Sequence, residues 1–373
     1  MELFEFADLS DRLPEIAGFD DDTTDDEIRE LVEKLRPHLR NVIGVTIGKG
    51  GQGKTTLSSN IAYMLAEEQE KRARNGKSAK PVLYAELDAN GNGRREYGLQ
   101  GGEFDDSGAR FVQSIVADGP FTVVKNVRPY LDTTIGGPKI GDLNRHVNRL
   151  HSAHGKSAFL LLALLLAQIS HHYRWIVLDF SPGDKEIQKL GLATTTHLVA
   201  PIMDDDNGTL DGLSALARLI RMINKLLNPE AALAAIAFLG FPKVHDKQTS
   251  KLELVREKIL NQLSKANMDP DLMLSEHIRR AEGLATQCRN QGRPAREMAR
   301  AATGTLVHHE TEQQVPRPRD EKGRLIDPEM AVKLAGDYGT VAVQMIARVR
   351  ARNNELKAAE NQRQASKMEE ASA

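Results

Sequence analysis

The sequence predicts an α/β fold in which a mostly parallel, twisted sheet carries helices on both faces. Three short apolar runs, at residues 42–47, 82–88 and 175–179, are typical of buried parallel strands. A glycine-rich turn and then a helical pattern follow the first run, and an aspartate ends each of the other two. Because the carboxyl ends of parallel strands meet in a crevice, these features also predict a ligand site at that edge.

The glycine-rich turn matches the phosphate-binding P-loop pattern G-x-x-x-x-G-K-[ST] and reads Gly48-Lys49-Gly50-Gly51-Gln52-Gly53-Lys54-Thr55-Thr56. Its glycines leave backbone N–H groups open to phosphate oxygens at the positive end of the following helix. Lys54 is placed to contact the β- and γ-phosphates, and Thr55 offers a hydroxyl to Mg²⁺. The sequence therefore predicts a P-loop NTPase that binds its nucleotide through this whole segment.

Two strand-end carboxylates complete the predicted site. Asp179 follows the run Trp175-Ile176-Val177-Leu178, and we expect it to hold Mg²⁺ through water, together with Thr55. Asp88 ends the run that begins at Val82, and Glu86 lies two residues before it. Either aspartate alone is also compatible with an ordinary turn at a strand end, but the P-loop upstream favours the functional interpretation.

These segments resemble the ParA/MinD family of deviant-Walker ATPases, and the ParA branch more than the MinD branch. The family pattern K-G-G-x-G-K-T-T is met by residues 49–56, D-x-D-P-Q-G-N is similar to residues 86–92, and the Walker B region is similar to residues 177–182. Weaker similarity continues along the chain. The resemblance thus spans residues 41–350 and rests mainly on the first motif.

The resemblance implies an ATPase that uses ATP and Mg²⁺ and forms a homodimer when ATP is bound. Lys49 would cross the dimer interface and contact the phosphates held by the partner. Lys49, Lys54 and Asp88 would be catalytic, with Asp88 orienting or activating water and Glu86 assisting it. The ATP-bound dimer would bind DNA non-specifically in the cytoplasm, at the nucleoid, and a ParB-like protein on a centromere-like site would stimulate hydrolysis.

Glu86 departs from the family pattern, which has aspartate at this position. The additional methylene shifts the carboxylate by about 1.5 Å, so ATP binding is expected while the rate of hydrolysis stays open. Two alternatives therefore remain. One is a MinD-like or cargo-positioning ATPase, and the other is a weakly hydrolysing nucleotide-binding adaptor in plasmid transfer or replication.

Composition restricts the possible partners. The formal net charge is −2 and the isoelectric point is near 6.6, so contact with DNA is expected to be local and sensitive to salt. The single cysteine, Cys288, excludes a disulfide within the chain and argues against iron–sulfur or zinc sites that need paired thiolates. The apolar run Phe159–Ile169 is too short to span a bilayer, so we expect a buried helix and no membrane partner.

The predicted organisation has three parts. Residues 1–40 form an acidic N-terminal extension, either lying on the core or acting as a partner-binding arm. Residues 41–350 form the ATPase domain, and residues 351–373 form a mixed-charge tail that is disordered or a frayed helix. Two basic sets are candidate DNA contacts, although each is also compatible with an ordinary solvated helix face: Arg218, Arg221 and Lys225, and then Arg348, Arg350 and Arg352.

Overall fold

The computed structural model describes residues 1–6, 23–116, 120–181, 183–203, 208–243, 251–309 and 311–372. Within these ranges the strands are β1 (Glu2–Phe6), β2 (Val42–Val45), β3 (Val82–Leu87), β4 (Phe121–Arg128), β5 (Leu131–Thr133), β6 (Trp175–Phe180), β7 (His197–Met203), β8 (Ala232–Phe241) and β9 (Met273–Arg279). They form one sheet in the order β1-β4-β5-β3-β6-β2-β7-β8-β9. All pairs from β5 to β9 are parallel, and β4 is antiparallel to both of its neighbours. The predicted α/β fold with a mostly parallel sheet is confirmed.

The helices of the described ranges are α1 (Asp25–Leu39), α2 (Lys54–Arg74), α3 (Asn92–Glu96), α4 (Ala109–Val116), α5 (Asp142–His154), α6 (Leu161–Ile169), α7 (Lys185–Thr194), α8 (Gly208–Asn224), α9 (Lys251–Lys265), α10 (Glu282–Asn290), α11 (Ala295–Ala302) and α12 (Pro328–Ser372). Side chains of one strand alternate between the two faces of a sheet, so Val42 and Ile43 enter different cores. Helices α1 and α4 to α9 contribute to the core on one face. Helices α2 and α12 contribute to the core on the other.

The described parts of the N-terminal segment belong to the fold. Helix α1 begins with a capping box, in which Glu27 Oε2 accepts from Thr24 N at 2.6 Å and Thr24 Oγ1 accepts from Glu27 N at 3.3 Å. The buried side chains Ile28, Val32, Leu35 and Leu39 then enter the core, and β1 pairs with β4. Residues on both sides of position 40 build the same core, which agrees with the alternative of an extension lying on the core, and the domain boundary at residue 40 stays a prediction.

The apolar run Phe159–Ile169 is explained by core packing. Residues 138–172 are long and apolar enough to cross a membrane by length and composition alone. In the structure they contain α5, α6 and short 3₁₀ segments, and α6 has only nine residues. Leu162, Leu166 and Ile169 of α6 are fully buried in the core.

The C-terminal tail is helical where it is described. Helix α12 continues through Ser372, in the segment that the sequence predicted to be either disordered or a frayed helix. Arg352 donates to the backbone oxygen of Glu230 at 2.6 Å, and Asn353 Nδ2 donates to the backbone oxygen of Arg40 at 2.9 Å. Arg40 in turn forms salt bridges with Glu230 and Glu360. These polar contacts come from distant parts of the chain, so a search for an apolar stripe does not reveal them.

Candidate nucleotide-binding site

The P-loop joins β2 to α2 through backbone conformations that favour glycine. Gly51 has φ 75° and Gly53 has φ 71°, and both values lie in the left-handed region that other residues rarely adopt. Gly53 is also the N-cap of α2, and a Cβ there would lie 3.0 Å from Leu239 Cδ2. Gly48 is held differently, since its N–H donates to the backbone oxygen of Gly212 at 3.3 Å. The loop is therefore fixed at the N-terminus of a long helix, where phosphate binds most readily.

A cavity of about 640 Å³ lies over the loop. Most of the predicted nucleotide contacts line it, namely Gly50, Gly51, Gln52, Gly53, Lys54, Thr55 and Thr56, and so does Asp88. The ends of β7, β8 and β9 form another wall through Met203, Leu239 and Ile278. This is the edge at which open parallel sheets bind their ligands.

Lys54 is buried at the first position of α2, with only 6% of the residue exposed. Its ammonium group donates to the backbone oxygen of Lys49 at 3.3 Å. Burial lowers the pKa of Lys54, and the charges of Asp179 and Asp88 oppose that shift. The cation is thus held between the loop backbone and two carboxylates, beside the cavity that a phosphate would enter.

Asp179 lies behind Thr55 and is fully buried. Its Oδ2 accepts from the Tyr84 hydroxyl at 3.0 Å, while Oδ1 is buried without a hydrogen-bond partner among the described residues. Burial raises the pKa of Asp179 to about 6, the neighbouring Thr55 hydroxyl lowers it, and nearby Asp88 raises it further. An unsatisfied carboxylate oxygen beside a hydroxyl suits Mg²⁺, which prefers oxygen ligands and usually takes only one or two carboxylates.

The two acids of β3 and its following turn have different surroundings. Asp88 is part of the cavity wall, and its Oδ1 accepts from the backbone N and from Nδ2 of Asn90, both at 2.9 Å. Glu86 is fully buried, and its carboxylate accepts backbone N–H bonds from Gly93, Arg94 and Gly136. The cavity wall does not include Glu86. Its longer side chain reaches the start of α3 instead, so the assisting catalytic role expected for Glu86 is not supported by its position.

Lys49 is half-exposed and is not part of the cavity wall of its own chain. Its backbone oxygen receives Lys54, so the loop positions the two lysines separately. A contact between Lys49 and phosphates of a second copy stays a prediction.

Glu96 is a cavity residue that the sequence interpretation missed. It ends α3, is 1% exposed, and accepts a hydrogen bond from the Thr56 hydroxyl at 3.0 Å. The surrounding residues Arg94-Arg95-Glu96 form a charged run that is typical of a surface, and no motif distinguishes the glutamate. The packing of α3 against α2 and α10 buries it.

The two predicted DNA-binding sets lie on opposite faces of the sheet, because α8 and α12 belong to different cores. Arg218, Arg221 and Lys225 are exposed and form no hydrogen bond or ion pair within the described ranges. The second set is different: Arg348 is half-exposed, Arg350 pairs with Glu68 at 3.0 Å, and Arg352 donates to the Glu230 backbone. Arg350 and Arg352 of the second set thus already have partners within the chain, and contact of this set with DNA stays a prediction.

Together the sheet order, the glycine loop before α2 and the carboxylate behind Thr55 define an α/β P-loop nucleotide-binding protein. A family model described as an AAA domain (AAA_31) matches residues 40–233, which is more than half of the chain. The chain belongs to this family, whose members are ParA/MinD-like P-loop proteins.

Solved structures from several organisms share the fold. A complex of ATP with a single-residue variant of McdA from Cyanothece is 15% identical, with a TM-score of 0.54, and the match covers 69% of this chain and 90% of that one. A protein described as a putative plasmid partition protein from Borrelia burgdorferi B31, bound to AMPPNP, is 13% identical, with a TM-score of 0.52 and coverage of 83% and 99%. Cobyrinic acid a,c-diamide synthase from Mycobacterium smegmatis, with ADP and magnesium, is 16% identical, with a TM-score of 0.50 and coverage of 74% and 98%. No curated protein matches the sequence.

Proposed function

We propose that the protein is a Mg²⁺-dependent ATPase that dimerises when ATP is bound and separates after hydrolysis. One observation carries this proposal: Lys54 and Thr55 line a cavity of about 640 Å³, and Asp179 Oδ1, which has no hydrogen-bond partner among the described residues, is buried behind Thr55. Complexes of structural neighbours with ATP, or with ADP and magnesium, support the choice of ligand.

The residues divide the work by position. The P-loop N–H groups and Lys54 would bind the phosphates, and Thr55 and Asp179 would hold Mg²⁺, which offsets phosphate charge. Asp88, a carboxylate of the cavity wall at the end of β3, would orient water for attack, since Glu86 is committed to the start of α3. Lys49 would act on the nucleotide of the second copy.

In this proposal the ATP-bound dimer binds DNA non-specifically at the nucleoid in the cytoplasm. The exposed cations of α8 and the following turn support such a contact, because phosphate binding needs accessible Lys and Arg more than it needs a basic chain overall. A ParB-like partner would stimulate hydrolysis. The fold shared with a protein described as a putative plasmid partition protein supports the same role.

The test is light scattering of the wild type and of Lys54→Ala with ATP, with ADP and without nucleotide, with phosphate release followed in parallel. We expect a dimer only with ATP, slow release of phosphate, and neither in Lys54→Ala. A wild-type monomer under all three conditions would refute the dimerisation switch.

The second candidate is a nucleotide-binding adaptor that hydrolyses ATP very weakly. The hydrogen bonds that Asp88 and Glu86 already accept favour it. Asp88 Oδ1 already accepts two hydrogen bonds from Asn90, and Glu86 accepts backbone N–H bonds at the start of α3 and is not part of the cavity wall. Phosphate release in the presence of DNA and cell extract separates the two functions. Stimulated turnover supports the switch, whereas ATP binding with no turnover under any condition supports the adaptor.

A further inference from the structure

The carboxyl group of Glu96 has one oxygen in use and one without a partner. Oε1 accepts from the Thr56 hydroxyl, while Oε2 is buried and has no hydrogen-bond partner among the described residues. A buried acceptor left unsatisfied is costly, and native proteins rarely keep one without a reason. A purely structural role, in which Glu96 ties α3 to α2, accounts for Oε1 but not for Oε2.

Glu96 is also part of the wall of the nucleotide cavity. The wall continues from Glu96 onto α10 and α12, through Thr286, Arg289, Leu334 and Tyr338. Thr56, which holds Oε1, is the last residue of the P-loop segment and lines the same cavity. The Glu96 carboxyl group, whose Oε2 has no partner among the described residues, thus adjoins the end of the phosphate-binding loop.

The chemistry of a nucleotide limits what lies at this position. The backbone of a P-loop cradles the α- and β-phosphates, and the sugar is bonded directly to the α-phosphate. The sugar must therefore lie within a few bond lengths of the loop. In other nucleotide-binding folds, a carboxylate that accepts hydrogen bonds from ribose hydroxyls is an established means of recognising the sugar.

We propose that Glu96 recognises the ribose of the bound nucleotide by accepting a hydrogen bond at Oε2 from one sugar hydroxyl, 2′ or 3′, and so discriminates against nucleotides that lack that hydroxyl. This inference rests on the proposed function, in which the cavity binds ATP. A site built to bond a hydroxyl rejects the analogue that lacks it, because the buried acceptor is then left unpaired.

The electrostatic surroundings agree with this role. Burial raises the pKa of Glu96 to about 7, the hydrogen bond from Thr56 and the charges of Arg289 and Arg95 lower it, and Asp179 raises it. A further hydrogen-bond donor at Oε2 stabilises the ionised carboxylate and so compensates for its burial.

The test is calorimetric titration of the wild type, in Mg²⁺, with ATP, 2′-deoxyATP and 3′-deoxyATP. We expect at least one deoxy analogue to bind about tenfold or more weakly than ATP. In Glu96→Ala, the ratio of the affinity for ATP to the affinity for that deoxy analogue falls close to one, mainly because ATP binds more weakly. Glu96→Gln keeps the size of the side chain but removes its charge and replaces one acceptor oxygen with an amide donor, so we expect an intermediate ratio of affinities.

The matched control is Glu297→Gln, since Glu297 is a buried glutamate that pairs with Arg128 at 2.6 Å and is not part of the cavity wall. We expect it to keep the wild-type ratio. Equal affinity of the wild type for all three nucleotides overturns the role of Glu96 and leaves the nucleotide site intact. Full discrimination by both Glu96 variants also overturns it, whereas no binding of any nucleotide to the wild type refutes the proposed function itself. If Glu96→Ala does not fold, the wild type and Glu96→Gln still decide.

Discussion

Glu86 fits its buried position because both of its close neighbours are glycines. A Cβ at Gly136 would lie 2.4 Å from Glu86 Cγ, and a Cβ at Gly93 would lie 2.8 Å from Glu86 Cδ. The absence of these side chains lets the backbone N–H groups of Gly93, Arg94 and Gly136 reach one carboxylate. Glu86 therefore fixes α3 and the segment after β5 relative to the end of β3, which also positions Asp88.

We predict that Glu86→Asp lowers stability while nucleotide binding survives. The shorter side chain cannot satisfy all three N–H groups, and the expected loss in the free energy of unfolding is about 1–3 kcal/mol. Urea unfolding measures the loss, and calorimetry with ATP measures binding. The exposed Glu103 provides the control, since Glu103→Asp is expected to change stability by less than about 0.5 kcal/mol. An equally stable Glu86→Asp protein with altered turnover would return Glu86 to the chemistry.

At the scale of elements, His197 connects the C-terminal helix α12 to the sheet through a hydrogen bond. His197 begins β7, and its Nε2 lies 2.9 Å from Asn353 Oδ1 on α12 and 3.2 Å from the backbone oxygen of Arg40 after α1. Both partners accept hydrogen bonds, so Nε2 carries the proton. Nδ1 is buried without a partner within the described ranges. Protonation would place a second proton on Nδ1, which has no acceptor there.

This arrangement predicts a loss of stability in mild acid. Burial lowers the pKa of His197 from 6.5 to about 4, the bonds to Asn353 and Arg40 and the charge of Glu230 oppose the shift, and Arg352 adds to it. Between pH 6.5 and pH 4 the unfolded state binds more protons at this histidine than the folded state does. The free energy of unfolding therefore falls as pH decreases, by about 2 kcal/mol between pH 7 and pH 5.

The check is urea unfolding of the wild type and of His197→Asn at pH 7 and pH 5. We expect His197→Asn to be less stable at pH 7 but to lose about 2 kcal/mol less on acidification. His38→Gln, which changes an exposed histidine of α1, should keep the wild-type pH dependence. An identical pH dependence in all three proteins would contradict the assignment to His197.

The sequence predicts the elements that depend on local interactions and does not predict those that depend on contacts between residues far apart in the chain. Strands β2, β3 and β6 and the P-loop have local signatures, namely apolar runs and fixed glycine spacing, so the fold class and most of the phosphate site could be predicted. Strand β1 depends on pairing with β4, and the end of α12 depends on Arg40 and Glu230. Burial of Glu96 likewise arises from the packing of α3 against α2 and α10, which no local sequence pattern predicts.

At the scale of the whole molecule, the separation of the basic sets predicts which face contacts DNA. In the Arg218→Glu, Arg221→Glu double variant, two exposed cations of α8 become anions, so DNA retention with ATP at low salt should fall by about tenfold or more, with a smaller dependence on salt. Arg350→Glu is the control on the opposite face, where Arg350 already pairs with Glu68. Filter binding at several salt concentrations measures both, and equal losses in the two variants would contradict the assignment to α8.

Lys49 provides the sharpest test of the dimer, because the loop separates it from Lys54. Lys54 lines the cavity of its own chain, whereas Lys49 is half-exposed and is not part of that wall. Two nucleotides that face each other across an interface concentrate negative charge, and a lysine from each side offsets it. We therefore expect Lys49→Ala to bind ATP with affinity within about threefold of the wild type, yet to require at least about tenfold more protein to dimerise.

Calorimetry for ATP and light scattering across a concentration series separate these two effects. Lys54→Ala should lose both, because it removes the phosphate contact within the chain, and Lys139→Ala, which removes an exposed lysine far from the loop in sequence, should lose neither. Unchanged dimerisation of Lys49→Ala would show that Lys49 does not contribute to the dimer interface. The dimer would then have to be stabilised by contacts outside the P-loop, and ATP would act on it through the protein rather than through charge at the interface.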